Sequence, residues 1–251
     1  MRKILLILMS IILNSSPNFK YFTTKEIIKI YEEKVKKPVS YFKKYEQLPL
    51  HLNNKKWRWE NKDFPRIWCI LDFAEWIKKY NINPINELAI TAHDPEIEFL
   101  EYKTATSIIY DPVTNKGDLH FDNPKLHSRF NFFLFSETIE HLYNPFLAVA
   151  NIYKMLKPGG YVFTCVPFMN IPHELPMHFN GYRPLGLAML FLSCGFEIKE
   201  VGQWGNYQYI EAMFKHHKWP DYQFLIKNGK IKNEEQNVAR CWILAQKPIE
   251  K

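Results

Sequence analysis

Between positions 136 and 141 the chain reads Ser-Glu-Thr-Ile-Glu-His, and its chemistry concentrates there. Glu137, Glu140 and His141 bring two carboxylates and an imidazole within five positions. Such a set can hold a divalent metal through hard oxygens and a ring nitrogen. His141 can also act alone as a general base, because an unperturbed imidazole titrates near neutral pH. The plainer alternative is that Glu140 caps the next helix and His141 is a satisfied polar residue. A second group, His173, Glu174 and His178, lies among Phe168, Met169, Pro172, Pro176, Met177 and Phe179. That mixture reads as an apolar pocket or as a packed lid, with Trp204 expected beside it. The cysteines at 69, 165, 194 and 241 form no C-x-x-C and sit at no metal-ligand spacing. They read as reduced, buried small hydrophobes, Cys165 being the candidate if any thiol is a nucleophile.

The elements that position these residues follow from periodicity. Glu87 to Ile90, Thr106 to Tyr110, Phe130 to Phe135 and Tyr161 to Val166 are strand-length and rich in β-branched or aromatic residues. Ile67, Ile70, Leu71, Ala74 and Ile77 recur at helical spacing after Asp63-Phe64-Pro65, a helix start. Pro145 to Leu156 is a second helix, ending at the stop-and-turn Lys157-Pro158-Gly159-Gly160. A third runs from about Pro184 to Ser193 and feeds a strand from Phe196 to Val201; Val238 to Gln246 reads as the last strand. Alternating strands and helices predict an α/β fold with a mostly parallel sheet covered on both faces.

Charge and glycine are unevenly spread. Residues 1 to 60 hold 13 Lys and Arg against 5 Asp and Glu, whereas the remainder holds 20 against 21. The basic excess therefore belongs to an N-terminal extension. There Thr23 and Glu26 have capping-box spacing, and Lys55-Lys56-Trp57-Arg58-Trp59 mixes charge with aromatics. That mixture suits either nucleic acid or a solvated helix face whose tryptophans pack on the next domain. Of the nine glycines the first is Gly117, so any glycine loop lies in the second half or is absent.

In order along the chain come "EHL" at 140–142, "LKPGG" at 156–160 leading into a strand, His178-Phe179-Asn180-Gly181-Tyr182-Arg183-Pro184, and Gly195-Phe196-Glu197. This set resembles the class I S-adenosylmethionine-dependent methyltransferases over about residues 85 to 205. The resemblance implies a Rossmann-like class I methyltransferase sheet with helices on both faces, and a cofactor at the strand ends. It implies cofactor contacts from Thr91, Ala92, His93, Asp111, Asp118 and Ser136. Asp111 takes the position that binds the ribose hydroxyls, and Asp118 the position that meets the adenine amino group. The family's first loop carries Gly-x-Gly, whereas Thr91-Ala92-His93-Asp94 has no glycine. Catalytic roles fall on His141, Glu140 and His178. The E-x-x-E-H motif is similar to that of the small-RNA 2′-O-methyltransferases and the ubiquinone-pathway O-methyltransferases, which implies a divalent metal on Glu137, Glu140, His141 and His178.

The expected activity is O- or N-methylation of a small-molecule or glycan/lipid-type acceptor. The rivals are a catalytically silent binding protein on the same fold and a metal-dependent RNA 2′-O-methyltransferase. Expected segments are a signal or anchor stretch over 1–16, a basic helical extension over 17–62 and the methyltransferase-like domain over 63–251. Residues 1–16 have a secretory layout, two cations and then a short apolar run. A cytosolic cofactor argues instead for a cytoplasmic or membrane-associated protein. An uncleaved segment, with the basic extension against anionic lipid, would reconcile the two.

Overall fold

Apolar residues run almost without interruption through the central strands because both faces of the sheet are covered. A computed structural model describes residues 19–45, 63–92, 94–228 and 231–249. The expectations for residues 1–16, for the Lys55–Trp59 stretch and for His93 lie outside the described residues. Strands β1 (Leu88–Ile90), β2 (Ala105–Ser107), β3 (Phe130–Leu134), β4 (Leu156–Pro167), β5 (Glu197–Trp204) and β6 (Arg240–Gln246) form one sheet in the order β2-β1-β3-β4-β6-β5. Pairing is parallel from β2 through β4 and antiparallel where β6 meets β4 and β5. This is the Rossmann-like methyltransferase arrangement, with a mixed rather than wholly parallel sheet.

Side chains alternate between the two faces with the strand period of two. Phe133, Val162, Val166, Cys241, Ile243 and Ala245 join one core, packed under helices α4 (Pro145–Met155) and α5 (Pro184–Ser193). Phe132, Leu134, Phe163, Cys165, Trp242 and Leu244 join the other, packed under α3 (Phe64–Lys79), α6 (Tyr207–His216) and α7 (Tyr222–Lys227). Asn144 caps α4 by accepting from the Leu147 N–H; Glu140 does not. The Lys157–Gly160 segment is no free turn. β4 starts at Leu156, directly after α4, and Gly159 (φ 81) lies inside it, where the register against β3 shifts between Phe130 and Phe132. Between β1 and β2 the chain makes only a five-residue 3₁₀ helix, Pro95–Phe99.

The described part of the basic extension comprises α1 (Thr24–Ile30), with the expected capping box, a π-turn over Tyr31–Val35 and α2 (Val39–Phe42). It is pinned to the domain by Asp72, which is fully buried in the middle of α3. That carboxylate accepts from Tyr41 Oη (3.0 Å), Lys44 Nζ (3.0 Å), Tyr45 Oη (3.1 Å) and Trp242 Nε1 (3.0 Å). Gly202 leaves the room: a Cβ there would clash with the Trp242 indole and come within 2.8 Å of Asp72 Oδ2. Among the described residues no helix is long and apolar enough to cross a membrane.

Removing one member of a buried, paired charge cluster strands the rest. Asp72→Ala is therefore expected to cost about 3 kcal/mol in urea unfolding and to expose the 39–45 segment to limited proteolysis. A variant with wild-type stability and resistance would contradict that role for Asp72.

Candidate active site

β1 and β3 are neighbours, and the connections after them leave toward opposite sides of the sheet, to β2 and to β4. Open α/β sheets bind ligands at such a switch point, beyond the carboxyl ends of the strands. Here the loops after β1 and β3 bound that crevice. Thr91 N–H donates to the Leu134 carbonyl (3.2 Å). The hydroxyls of Thr91 and Thr138 are hydrogen-bonded across the crevice at 2.8 Å.

The crevice is lined by buried charge. Arg66, from the first turn of α3, places Nη2 2.9 Å from Asp94 and 2.7 Å from Glu96. Its Nη1 lies 2.8 Å from Glu137 and 2.9 Å from Cys165 Sγ. Arg240, on β6, pairs with the same Glu137 oxygen and reaches Asp63 at 3.3 Å. Burial alone would raise the Glu137 carboxyl, but Arg240 and then Arg66 outweigh it and hold it below its ordinary range. Glu137 also adopts φ 45, a left-handed conformation that costs a non-glycine residue energy and tends to persist at functional sites. Burial pushes Glu96 up to about 7, against the pull of Arg66. Burial, and then the Glu137 charge, push Glu140 up to about 8.

Several buried polar atoms at the strand ends have no hydrogen-bond partner among the described residues: Asp94 Oδ2, Ser136 Oγ and both carboxylate oxygens of Glu140. Buried polar atoms without partners are costly and call for an explanation, which includes an absent ligand. Cys165 is buried and its thiol pushed up by that burial; it is not a reactive thiolate. Cys69, Glu96 and Cys165 do converge within 4.8 Å, but the Arg66 guanidinium contacts both Glu96 and Cys165. A resident cation there disfavours a metal.

A histidine cluster lies next to the crevice. His141 and His173 have ring centroids 5.0 Å apart, His173 and His178 4.6 Å, and His141 and His178 5.8 Å. Backbone groups set their tautomers. His141 Nδ1 is 2.7 Å from the Met177 carbonyl, which can only accept, so Nδ1 carries the proton and Nε2 presents a lone pair. His173 Nδ1 faces the Ile171 carbonyl at 3.2 Å, which frees its Nε2 in the same way. His178 differs: its Nδ1 accepts the His173 N–H at 3.3 Å, so the neutral ring carries its proton on Nε2. Glu140, His141 and His173 each offer a ligand atom within a 4.8 Å group. Of the four expected metal ligands, Glu140 and His141 are thus brought together. Glu137 is engaged by the two arginines, His178 has spent its lone pair orienting His173, and His173 stands in the group instead. Only its place among histidines after β4 marked it in the sequence.

The remaining expected residues are dispersed. Asp111 spends its carboxylate on its own turn, accepting from Val113 N–H (2.9 Å) and Thr114 Oγ1. Asp118 accepts from the N–H and Nδ1 of His120 through Oδ1, and His120 stacks on Tyr143 at 4.1 Å. Ala92 is half-buried in the crevice loop. Trp204 is fully buried against Phe64 and Tyr209.

Glu96 generates a pH dependence. Its folded value of about 7 lies above the ordinary 4.5, so the folded protein binds this proton more tightly than the unfolded chain. The associated stability is present below pH 4.5 and is lost as pH rises through about 7. Glu96→Gln removes the titration, so the unfolding free energy of wild type relative to the variant should fall over that window in a urea series. A flat or rising difference would contradict it.

Residues 80–221 match the methyltransferase domain family. Among curated proteins none matches the chain in sequence. Similar solved structures include a SAM-dependent methyltransferase from Archaeoglobus fulgidus, with 15% identity, 71% of this chain and 94% of that one covered and a TM-score of 0.41. Another is the 1,6-didemethyltoxoflavin-N1-methyltransferase of Burkholderia thailandensis, with 11% identity, 72% and 78% coverage and a TM-score of 0.44. A third, an S-adenosylmethionine-dependent methyltransferase from Mesorhizobium loti, has 10% identity, 69% and 97% coverage and a TM-score of 0.42. Since the family match spans more than half of the chain, the protein belongs to the methyltransferase domain family.

Proposed function

We propose that the protein methylates an oxygen or nitrogen of a small, largely apolar molecule held beside the histidine cluster. The observation that carries this reading is the lone pair on His141 Nε2, oriented by the Nδ1–H bond to the Met177 carbonyl. His141 belongs to the loop after β3, and exposed apolar side chains lie near it and its histidine partners in sequence, among them Tyr143, Leu175, Met177 and Phe179. Domain boundaries at 63–251, with a basic extension before it, are part of the same proposal.

The unpartnered buried atoms fit the cofactor. S-adenosylmethionine supplies a methyl group on a positively charged sulfur next to an ammonium and a carboxylate. Asp94 Oδ2 and Ser136 Oγ, both buried and unsatisfied, would meet the cationic end. Thr91 and Ala92 would line the loop, and Asp111 and Asp118 would reach the nucleoside end only by sharing carboxylates already engaged in their own turns. The chain's own contribution is mainly orientation, with His141 Nε2 receiving the acceptor's proton. Glu140 Oε1 lies 3.9 Å from the same Nε2, so the imidazolium that results would favour ionisation of Glu140, whose proton burial otherwise retains.

A divalent cation on Glu140, His141 and His173 is the second reading, favoured by the two unpartnered oxygens of Glu140. The two readings exclude each other at one atom, because Nε2 cannot both ligate a metal and accept a proton. Under the base reading, S-adenosylmethionine binds in a calorimetric titration with EDTA present. His141→Ala then lowers kcat by about 10²-fold or more, with cofactor affinity unchanged. Absence of cofactor binding would contradict the proposal. Under the metal reading, manganese binds to the wild type but not to Glu140→Gln or His173→Ala, and EDTA abolishes turnover; full turnover in EDTA excludes that reading.

A further inference from the structure

The crevice between β1 and β3 already contains a cation. Asp94 belongs to the loop after β1 and Glu137 to the loop after β3, so the Arg66 fork lies across the switch point itself. Its side chain is only 10% exposed. The Thr91–Thr138 hydroxyl pair closes the same gap a second time. Glu137 is held in its left-handed conformation by contacts that include this guanidinium. The crevice nevertheless keeps more acceptors than Arg66 satisfies, since Asp94 Oδ2 and both Glu140 oxygens are buried without hydrogen bonds among the described residues.

We propose that Arg66 is the resident cation of the cofactor crevice, and that the cationic end of S-adenosylmethionine binds by displacing it from Asp94. This rests on the cofactor reading given above. Asp94 is the contact that can be surrendered. Arg66 keeps Glu96 at 2.7 Å and Glu137 at 2.8 Å after leaving it, so the guanidinium is never buried without a counter-charge. An incoming cation in turn keeps Asp94 compensated, so the exchange leaves the number of buried pairs unchanged. The cost appears as weakened apparent affinity, because only molecules with Arg66 off Asp94 are competent to bind. Arg66 thereby selects for a charged ligand: a neutral one entering the crevice would leave Asp94 unpaired.

Two substitutions move affinity in opposite directions. Arg66→Lys keeps the positive charge but loses the planar fork that reaches both loops at once. Isothermal titration with S-adenosylmethionine is expected to show it binding about tenfold more tightly than wild type, as the competent fraction rises. Asp94→Asn removes the carboxylate that the cofactor takes over and is expected to bind about tenfold more weakly. Circular dichroism checks that each variant is folded, and either one that folds decides the matter. Equal or weaker binding by folded Arg66→Lys, or unchanged binding by folded Asp94→Asn, overturns the exchange while leaving the cofactor assignment intact if wild type binds. No binding by wild type or either variant overturns the cofactor reading and the exchange with it.

Discussion

Burying several carboxylates at the ends of parallel strands is tolerable only if cations are buried with them. Here Arg66 and Arg240 meet that constraint, one from the first turn of α3 and one from β6, converging on a single Glu137 oxygen. Much of the surrounding architecture serves this convergence. α3 must lie against the sheet so that its N-terminal turn stands over the strand ends, and β6 must run antiparallel beside β4 so that Arg240 is opposite Pro167. At its middle α3 is tied to the extension and to β6 by Asp72, which bonds Trp242 as well as Tyr41, Lys44 and Tyr45. Two buried acidic centres, one polar clamp and one charged crevice, thus hold a single helix at two heights.

The chemistry follows from what this scaffold leaves unsatisfied. Carbonyls at Met177 and Ile171 fix the protons of His141 and His173 on Nδ1, so both Nε2 atoms are available as bases or ligands. The Phe179 and Asn180 N–H groups hold the Glu140 backbone carbonyl at 2.8 and 3.2 Å, while its carboxylate has no hydrogen-bond partner among the described residues. The segment after β4 is therefore tethered to the strand-end loop by its backbone, with the apolar side chains of Leu175, Met177 and Phe179 exposed on it. In the proposed function, a resident cation in the crevice and an open base beside it would divide the labour between cofactor selection and proton handling.

Much of this was legible in local sequence. The helix from Pro145, the strands around Phe130 and Tyr161 and the capping box at Thr23 follow from periodicity and short-range hydrogen bonding, and the structure keeps all of them. Contacts between residues far apart in sequence were not legible. Arg66 reaches partners 30, 71 and 99 residues away, and nothing in its neighbourhood distinguishes it from a surface arginine. An aromatic near a loop carries no sign of which way it faces, so the burial of Trp204 was not legible; packing on Phe64 and Tyr209 places it in the core. Lys157–Gly160 looked like a turn, yet the positive φ of Gly159 serves a strand irregularity instead. The metal-type set shifted from Glu137 and His178 to His173 because hydrogen-bond direction decides which lone pairs are free. The missing glycine before position 117 was legible from the outset. Its structural counterpart is a crevice loop tied to β3 by Thr91 and to Arg66 by Asp94.

A crystal structure of the protein soaked with S-adenosylmethionine bears most directly on where the cofactor sits. The predicted result is cofactor density over the ends of β1 and β3, between the Thr91 and Thr138 loops, with Arg66 turned off Asp94 and still paired with Glu137. Cofactor bound elsewhere, or bound in the crevice with the Arg66–Asp94 pair intact, would contradict it.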